Sequence, residues 1–274
     1  MDIEVITRSS GQSGSKPHLL FVHGGFHGAW CWDENFLPWF TEHEWSTHAL
    51  SLRGHGVSVG TKNINSWGLV DYVEDVLSVI DELGVPVILI GHSMGGVISQ
   101  MCREVRPDVV GMVLIASSPM RISPWVLVKA ILKHPIAMIG GQIFRNMEIS
   151  KPAYIDFFFS KKLDPKKRER YVKELSGESF KAITELFSRQ APTIDPNDKR
   201  PSLIIAGDDD WSIPMRDHKI LSRTYSAPLK VCPGVHDIML EPEWEVTARV
   251  ILEWLVASFQ EEAHIRPDLS VANK

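Results

Sequence analysis

The chain has 274 residues, of which 44% are hydrophobic and 23% charged, and its formal net charge is −5. This is the composition of a soluble globular protein that is long enough to bury a large core. The mild negative charge and the lack of a long basic run argue against nucleic acid as a partner. Three scattered cysteines argue against a disulfide framework and against a zinc site. No apolar run reaches membrane-spanning length and the N-terminus lacks a signal-peptide core, so we expect a cytoplasmic protein.

The first third of the chain alternates short apolar runs with helical patterns. Residues 2–7 alternate like an edge strand, and 19–22 and 48–52 have the apolar character of buried strands. Residues 33–40 indicate a short helix, and 69–83 carry apolar residues at helical spacing. Short apolar strands that alternate with helices predict an α/β fold, with a mostly parallel sheet covered on both faces.

Residues 87–98 read as a strand, a sharp turn and a helix, with the pattern G-x-S-x-G at the turn. This pattern is a nucleophile elbow, in which a strained backbone holds a serine hydroxyl clear of the sheet. Gly91 and Gly95 would flank Ser93 because a Cβ there would collide with the adjoining strand or helix. We interpret Ser93 as a nucleophile; the alternative is a glycine-rich turn without chemistry.

The alternation stops between residues 119 and 197. Helical patterns at 125–132, 136–144 and 179–187 surround an aromatic cluster at 154–159, and strands are not evident. We therefore predict a helical lid, residues 119–197, inserted into a core formed by residues 1–118 and 198–274. The aromatic residues would suit an apolar acyl group or ring; the alternative is that they only pack the lid onto the core.

Strand patterns return at 202–207 and 229–232, followed by a closing helix at 242–259. The first of these strands ends in Asp208, Asp209 and Asp210. Three carboxylates there could bind a hard cation, or one of them could orient a catalytic histidine. His236 follows the last strand. We interpret His23 and His55, in glycine-rich turns, as structural residues, since no carboxylate stands near them at metal-ligand spacing.

Together these pieces resemble the α/β-hydrolase superfamily over essentially the whole chain. The matching motifs are His23-Gly24-Gly25, Arg53-Gly54-His55-Gly56, Gly91-His92-Ser93-Met94-Gly95-Gly96, Gly207-Asp208-Asp209-Asp210-Trp211-Ser212-Ile213-Pro214 and Gly234-Val235-His236-Asp237. They look most similar to the branch that includes plant methylesterases and hydroxynitrile lyases. Val235 departs from the glycine that commonly precedes the histidine.

The resemblance implies a catalytic triad of Ser93, Asp210 and His236, in the order of this superfamily. Asp210 is selected by its place three residues after Gly207, and Asp208 and Asp209 remain second choices. The backbone N–H groups of Gly25 and Met94 would form the oxyanion hole. We expect four side chains to contact the substrate: Phe26, His92, Phe158 and Trp211.

The implied activity is hydrolysis of a small-molecule carboxylic ester or lactone, with an apolar acyl or ring portion. The resemblance implies no cofactor and no metal. A lysine beside the histidine would be needed for a hydroxynitrile lyase, and Asp237 stands there instead. A cofactor-independent dioxygenase and a non-catalytic small-ligand receptor stay open as alternatives on the same fold.

Overall fold

The computed structural model describes residues 2–11, 16–119, 124–188, 195 and 197–259. A seven-stranded sheet forms its centre. The strands are β1 (Glu4–Arg8), β2 (His18–Val22), β3 (Thr47–Ser51), β4 (Val87–His92), β5 (Val109–Ile115), β6 (Ser202–Gly207) and β7 (Leu229–Cys232). The strand order is β1-β3-β2-β4-β5-β6-β7. Only β1 runs antiparallel to its neighbour, so the prediction of a mostly parallel sheet is confirmed.

Outside the stretch between β5 and β6, the described part of the chain has six α-helices and two short 3-10 helices, Thr61–Ser66 and Ile238–Leu240. The α-helices are α1 (Trp30–Asp33), α2 (Phe36–Glu42), α3 (Leu69–Leu83), α4 (Met94–Val105), α10 (Met215–Thr224) and α11 (Trp244–Phe259). The prediction of a single helix over 33–40 is wrong. The backbone of Asn35 leaves the helical region, at φ −137° and ψ −52°, and its side chain donates a hydrogen bond to the Met239 carbonyl oxygen.

The core has two main layers, one on each face of the sheet. Successive residues of β2 point to opposite faces, as strand geometry requires. Phe21 packs with Trp32 and Phe36 on one face. Leu20 and Val22 pack on the other face, with side chains of α3 and α4. Both faces are therefore buried, which explains why the central strands are continuous apolar runs.

Among the described residues between β5 and β6, five α-helices form what we call the inserted segment. They are α5 (Pro124–Lys133), α6 (Pro135–Phe144), α7 (Met147–Phe158), α8 (Pro165–Glu174) and α9 (Phe180–Ser188). No strand occurs in the described residues 124–188. Helical patterns were predicted for α5, α6 and α9, whereas the region of α7 was recognised only as an aromatic cluster. The boundaries of a separate lid stay a prediction, and residues 120–123, 189–194 and 196 lie outside the described residues. No described helix is long and apolar enough to cross a bilayer.

Helix α4 holds both ends of the inserted segment. At the entry, Gln100 donates a hydrogen bond of 3.0 Å to the Ser118 carbonyl oxygen. At the exit, Arg103 donates to the Asp198 carboxylate at 3.0 Å. Strands β5 and β6 also pair directly. The chain therefore leaves the sheet and returns to it at neighbouring places.

Candidate active site

The turn between β4 and α4 places Ser93 in a strained conformation, with φ 51° and ψ −118°. Such a backbone is rare for a residue with a Cβ and is found mainly at functional sites. A Cβ on Gly91 would lie 2.6 Å from the Gly95 carbonyl oxygen. A Cβ on Gly95 would collide with the carbonyl oxygens of Val22 and His23. Both glycines are therefore required by close contacts, as the sequence predicted.

His236, in the loop after β7, links Ser93 to an aspartate. Its Nε2 lies 2.9 Å from Ser93 Oγ, and its Nδ1 lies 2.9 Å from Asp210 Oδ2. A carboxylate can only accept, so Nδ1–H donates to Asp210 and Nε2 is left to accept the hydroxyl proton of Ser93. The structure thus brings together all three side chains predicted to be catalytic.

The three consecutive aspartates after β6 occupy different environments. Asp208 is exposed and accepts a hydrogen bond from the Gly234 N–H at 2.9 Å. Asp209 is also exposed, whereas Asp210 reaches His236. Among the described residues, the side chains close enough to share a metal ion are His92, His236 and Asp237, not these aspartates.

The loop after β2 passes close to Ser93. A Cβ on Gly24 would lie 3.0 Å from the Cβ of Ser93, so the loop that continues into Gly25 passes beside the serine. Met94 is the first residue of α4, where N–H groups have no acceptor within the helix. None of the hydrogen bonds found among the described residues uses the N–H of Gly25 or of Met94. Their role as an oxyanion hole stays a prediction.

Residues 19–249 match a family model described as "Alpha/beta hydrolase family". The chain belongs to this family. It is 26% identical to epoxide hydrolase 4 of Mus musculus over 187 residues, which cover 68% of the chain and 45% of that protein. It is 36% identical to putative methylesterase 15, chloroplastic, of Arabidopsis thaliana over 112 residues, which cover 40% of the chain and 24% of that protein.

One similar solved structure is that of a putative non-heme bromoperoxidase, BpoC, from Mycobacterium tuberculosis H37Rv. It superposes with a TM-score of 0.74 at 17% identity, and the match covers 94% of the chain and 97% of the bromoperoxidase. This likeness shows the shared fold. The matches to the two curated relatives, by contrast, span less than half of those proteins' lengths.

Neighbouring charged groups shift the pKa of the histidine in this alpha/beta hydrolase. Burial alone would lower the pKa of His236, but the negative charge and the hydrogen bond of Asp210, with a further contribution from Asp237, raise it above the usual 6.5. Burial would raise the pKa of Asp210, and the charge of His236 with hydrogen bonds from His236 and Ser212 lowers it instead. His92, which is buried beside His236, has a pKa held well below 6.5.

We expect the acid limb of the kcat/KM profile to have its midpoint above pH 6.5. Only neutral His236 can take the Ser93 proton, so activity falls as the pH drops through the raised pKa of His236. The negative charges of Asp210 and Asp237 oppose the loss of the proton from His236. His92 and His218 are the other titratable groups that interact with His236. Steady-state kinetics on a neutral ester from about pH 5.5 upward, about one unit below the pKa of a free histidine, measures this limb. A midpoint below that of a free histidine would contradict this electrostatic interpretation.

Ser212 belongs to the site, although it was not predicted as a site residue. Its Oγ donates to Asp210 Oδ1 at 2.5 Å and lies 2.8 Å from His236 Nδ1. Its backbone N–H also donates to Asp210, at 2.7 Å. These bonds orient the carboxylate toward His236. A hydroxyl two residues after the acid was the only available signal, and serines are too common in loops for that to be informative.

Glu178, between α8 and α9, reaches into the core beside the loop after β2. It is buried, and its Oε2 accepts a hydrogen bond from the Phe26 N–H at 3.0 Å. Phe26 adopts a left-handed backbone, with φ 69°, and its carbonyl oxygen accepts from the Ser176 N–H at 2.8 Å. The inserted segment therefore holds both peptide groups of Phe26, directly after Gly25.

The Glu178 carboxylate is fully satisfied. Its Oε2 also lies 3.0 Å from His55 Nε2, while its Oε1 accepts from the Tyr72 hydroxyl at 3.0 Å and from the Ser179 N–H at 2.7 Å. Burial would lower the pKa of His55 and raise that of Glu178, but the charge of each partner reverses the direction for the other. The two side chains therefore form a buried ion pair.

His27 fixes the same loop from the other side. Its Nδ1 lies 2.8 Å from the Gly25 carbonyl oxygen and its Nε2 lies 2.9 Å from Asp237 Oδ2. This pair connects the Gly25 peptide with the residue directly after His236. No local pattern predicts this contact, because 210 positions separate the two side chains.

The four residues predicted to contact substrate lie in different places. Phe158 is buried, with its ring stacked 6.1 Å from that of His236 and 6.0 Å from that of Phe26. His92 is buried beneath the site and donates to the His236 carbonyl oxygen at 3.1 Å, a position that supports the loop. Trp211 is partly exposed and contacts α5, where Lys129 donates to its carbonyl oxygen at 3.2 Å. Of the four, the rings of His92 and Phe158 lie beside that of His236, at 4.8 and 6.1 Å, and Phe26 packs against Phe158.

Proposed function

We propose that the protein is a serine hydrolase that cleaves carboxylic esters or lactones. The observation that carries the proposal is the 2.9 Å separation of Ser93 Oγ from His236 Nε2, on a strained turn at the start of a helix. A hydroxyl in hydrogen-bond reach of a neutral imidazole, itself oriented by a carboxylate, is the arrangement that nucleophilic acyl transfer needs.

The reaction would proceed in two halves. Ser93 Oγ attacks the carbonyl carbon and its proton passes to His236 Nε2, while Asp210 stabilises the imidazolium. The N–H groups of Gly25 and Met94 would hold the oxyanion, a contribution of about 3–4 kcal/mol for each donor in related sites. Collapse expels the alcohol, which takes the proton from His236. Water then attacks the acyl-enzyme with His236 as base, and Ser93 is released.

An apolar acyl or ring portion is supported by the aromatic surroundings of His236. Phe158 stacks against it, Phe26 packs against Phe158, and both rings are buried. Burying apolar substrate area against such rings contributes about 25 cal/mol per Å². The similarity to a plant methylesterase supports the same class of substrate, a small ester.

An ester suits this nucleophile better than an epoxide, although one relative is named an epoxide hydrolase. Opening an epoxide with the Ser93 hydroxyl would leave an ether, which has no carbonyl carbon for water to attack. Attack on an ester or lactone leaves an acyl-enzyme, which His236 and water can hydrolyse. The chemistry of residue 93 therefore favours acyl transfer.

We predict that a fluorophosphonate modifies Ser93 and abolishes hydrolysis of p-nitrophenyl esters. The reagent phosphorylates a serine whose proton is removed by a neighbouring base, and here that base is His236. Intact-mass and peptide mass spectrometry locate the adduct. Ser93→Ala should show no adduct and should lose about 10⁶ in kcat, as in the subtilisin precedent.

Ser188→Ala, at an exposed serine of α9, is the matched control and should label and turn over like the parent. An adduct on another residue, or turnover without any adduct, would remove the hydrolase proposal. Binding of esters without turnover by the unmodified protein would favour the receptor alternative, and oxygen uptake with an aromatic substrate would favour the dioxygenase.

A further inference from the structure

Helices α5 and α6 each expose a row of apolar side chains to solvent. Val128 and Leu132 on α5 are four positions apart, and Ile136, Ile139 and Ile143 on α6 are three or four positions apart, so each row shares one side of its helix. We call this set the α5–α6 face: Val128, Leu132, Ile136, Ile139, Ile143 and Phe144. All are exposed, Leu132 by 78% and Ile136 by 88%. Clustered exposed apolar side chains of this kind mark interaction sites.

The charge of this region differs from that of the rest of the chain. The sequence has no Asp or Glu between Asp108 and Glu148, whereas this interval holds four basic residues, Arg121, Lys129, Lys133 and Arg145. With a net charge of −5 for the whole chain, the remaining residues carry −9. Lys129, Lys133 and Arg145 are exposed beside the α5–α6 face. An apolar face bordered by cations lies on an otherwise acidic protein.

We propose that the α5–α6 face binds an anionic lipid surface. Apolar side chains with flanking lysine and arginine are what an interfacial helix needs, with the apolar groups at the acyl boundary and the cations among the headgroups. The proposal explains both the exposed isoleucines and the missing acidic residues.

Two other kinds of partner fit the α5–α6 face less well. A second copy of the chain, docked about a two-fold axis, would bring this cationic border against itself. A specific protein partner normally makes about one hydrogen bond per 100–200 Å² of interface. Between Ile136 and Phe144, however, the sequence offers only Gln142 as a polar side chain. A lipid surface needs no such pattern of donors and acceptors.

The face is connected to the candidate active site. Lys129 on α5 donates to the carbonyl oxygen of Trp211, and the ammonium groups of Lys129 and Lys133 lie 6.0 and 5.4 Å from the Trp211 ring. Trp211 directly follows Asp210. Docking through α5 and α6 would therefore bring the site to a source of apolar esters; this last step rests on the proposed function, whereas lipid binding itself does not.

The test is co-sedimentation with vesicles of phosphatidylcholine, with and without phosphatidylglycerol, in a Ser93→Ala background so that lipid is not hydrolysed. Lys129→Gln with Arg145→Gln should weaken binding about 25-fold on the anionic vesicles, about fivefold for each cation. The pair should have little effect on neutral vesicles. Ile136→Ser with Ile143→Ser should weaken binding to both kinds by at least about tenfold per side chain.

Val105→Ser is the matched control, because Val105 is 60% exposed but lies at the end of α4 remote from Ser93. It should bind vesicles like the parent. Absence of binding by the parent, or equal losses in Val105→Ser, would overturn the proposal. So would a dimer in size-exclusion chromatography that the isoleucine variants convert to monomer. With Ser93 restored, the isoleucine pair should keep the parent's activity on a soluble ester. A parent that binds the vesicles but hydrolyses no ester would count against the proposed function alone.

Discussion

Replacing Asp210 by asparagine should lower kcat by about 10⁴, the loss known for the equivalent change in a serine protease. Asp210 Oδ2 lies 2.9 Å from His236 Nδ1 and fixes the tautomer in which Nε2 can accept the Ser93 proton. An amide can instead donate to Nδ1, which leaves Nε2–H pointing at Ser93. Steady-state kinetics with a p-nitrophenyl ester measures the loss. The loss of the negative charge should also move the acid limb to lower pH, since Asp210 raises the pKa of His236.

Asp208→Asn and Asp209→Asn are the matched controls for this change. Both carboxylates are exposed, and Asp208 accepts only one backbone hydrogen bond, which an amide oxygen can still accept. Both variants should stay within about 0.5 kcal/mol of the parent in stability and close to it in rate. If Asp208→Asn is the change that abolishes activity, the assignment of the acid is wrong.

Replacing Glu178 by alanine should lower the free energy of unfolding by about 3–5 kcal/mol, because it leaves the buried charge of His55 without a partner. Four donors lose their acceptor at the same time: His55 Nε2, the Tyr72 hydroxyl and the N–H groups of Phe26 and Ser179. Denaturant unfolding measures the change. We also expect kcat to fall, since Glu178 holds the Phe26 peptide next to Gly25.

Glu178→Gln gives a sharper test of the same site. Whichever way the amide turns, its NH₂ faces one backbone N–H, of Phe26 or of Ser179, because each carboxylate oxygen accepts from one of them. One unsatisfied buried N–H costs about 1–3 kcal/mol. Glu174→Gln, at an exposed position of α8, should change little. Equal free energies of unfolding for Glu178→Gln and Glu174→Gln would show that the buried Glu178–His55 pair does not stabilise the fold.

The seven strands and the three triad candidates could be predicted because local sequence carries them. The central strands are short apolar runs, and Ser93, Asp210 and His236 each stand within four residues of the end of a strand, with glycine nearby. Parallel strands bring these loops to one edge of the sheet. The helix break at Asn35 was missed, because the tertiary bond from its side chain to Met239 is not visible in local periodicity.

The pairs that hold the loop after β2 could not be predicted. The partner of His55 is Glu178, 123 positions later, and the partner of His27 is Asp237, 210 positions later. We interpreted His55 as a structural residue because no carboxylate stood near it in sequence, and the carboxylate comes from the inserted segment instead. Periodicity and short motifs describe neighbours along the chain, whereas these contacts depend on how the inserted helices fold back.

The neighbouring anchor points of the inserted segment bear on how such a protein can diverge. Gln100 and Arg103 hold its two ends on one helix, and the flanking strands β5 and β6 are paired. The entropic cost of closing a loop whose ends are already adjacent rises by only about 0.6 kcal/mol for each doubling of its length. Helices between these anchors can thus be lengthened, shortened or exchanged at small thermodynamic cost. Glu178 sets the condition on such exchange, because any replacement must still return an acceptor to the Phe26 N–H.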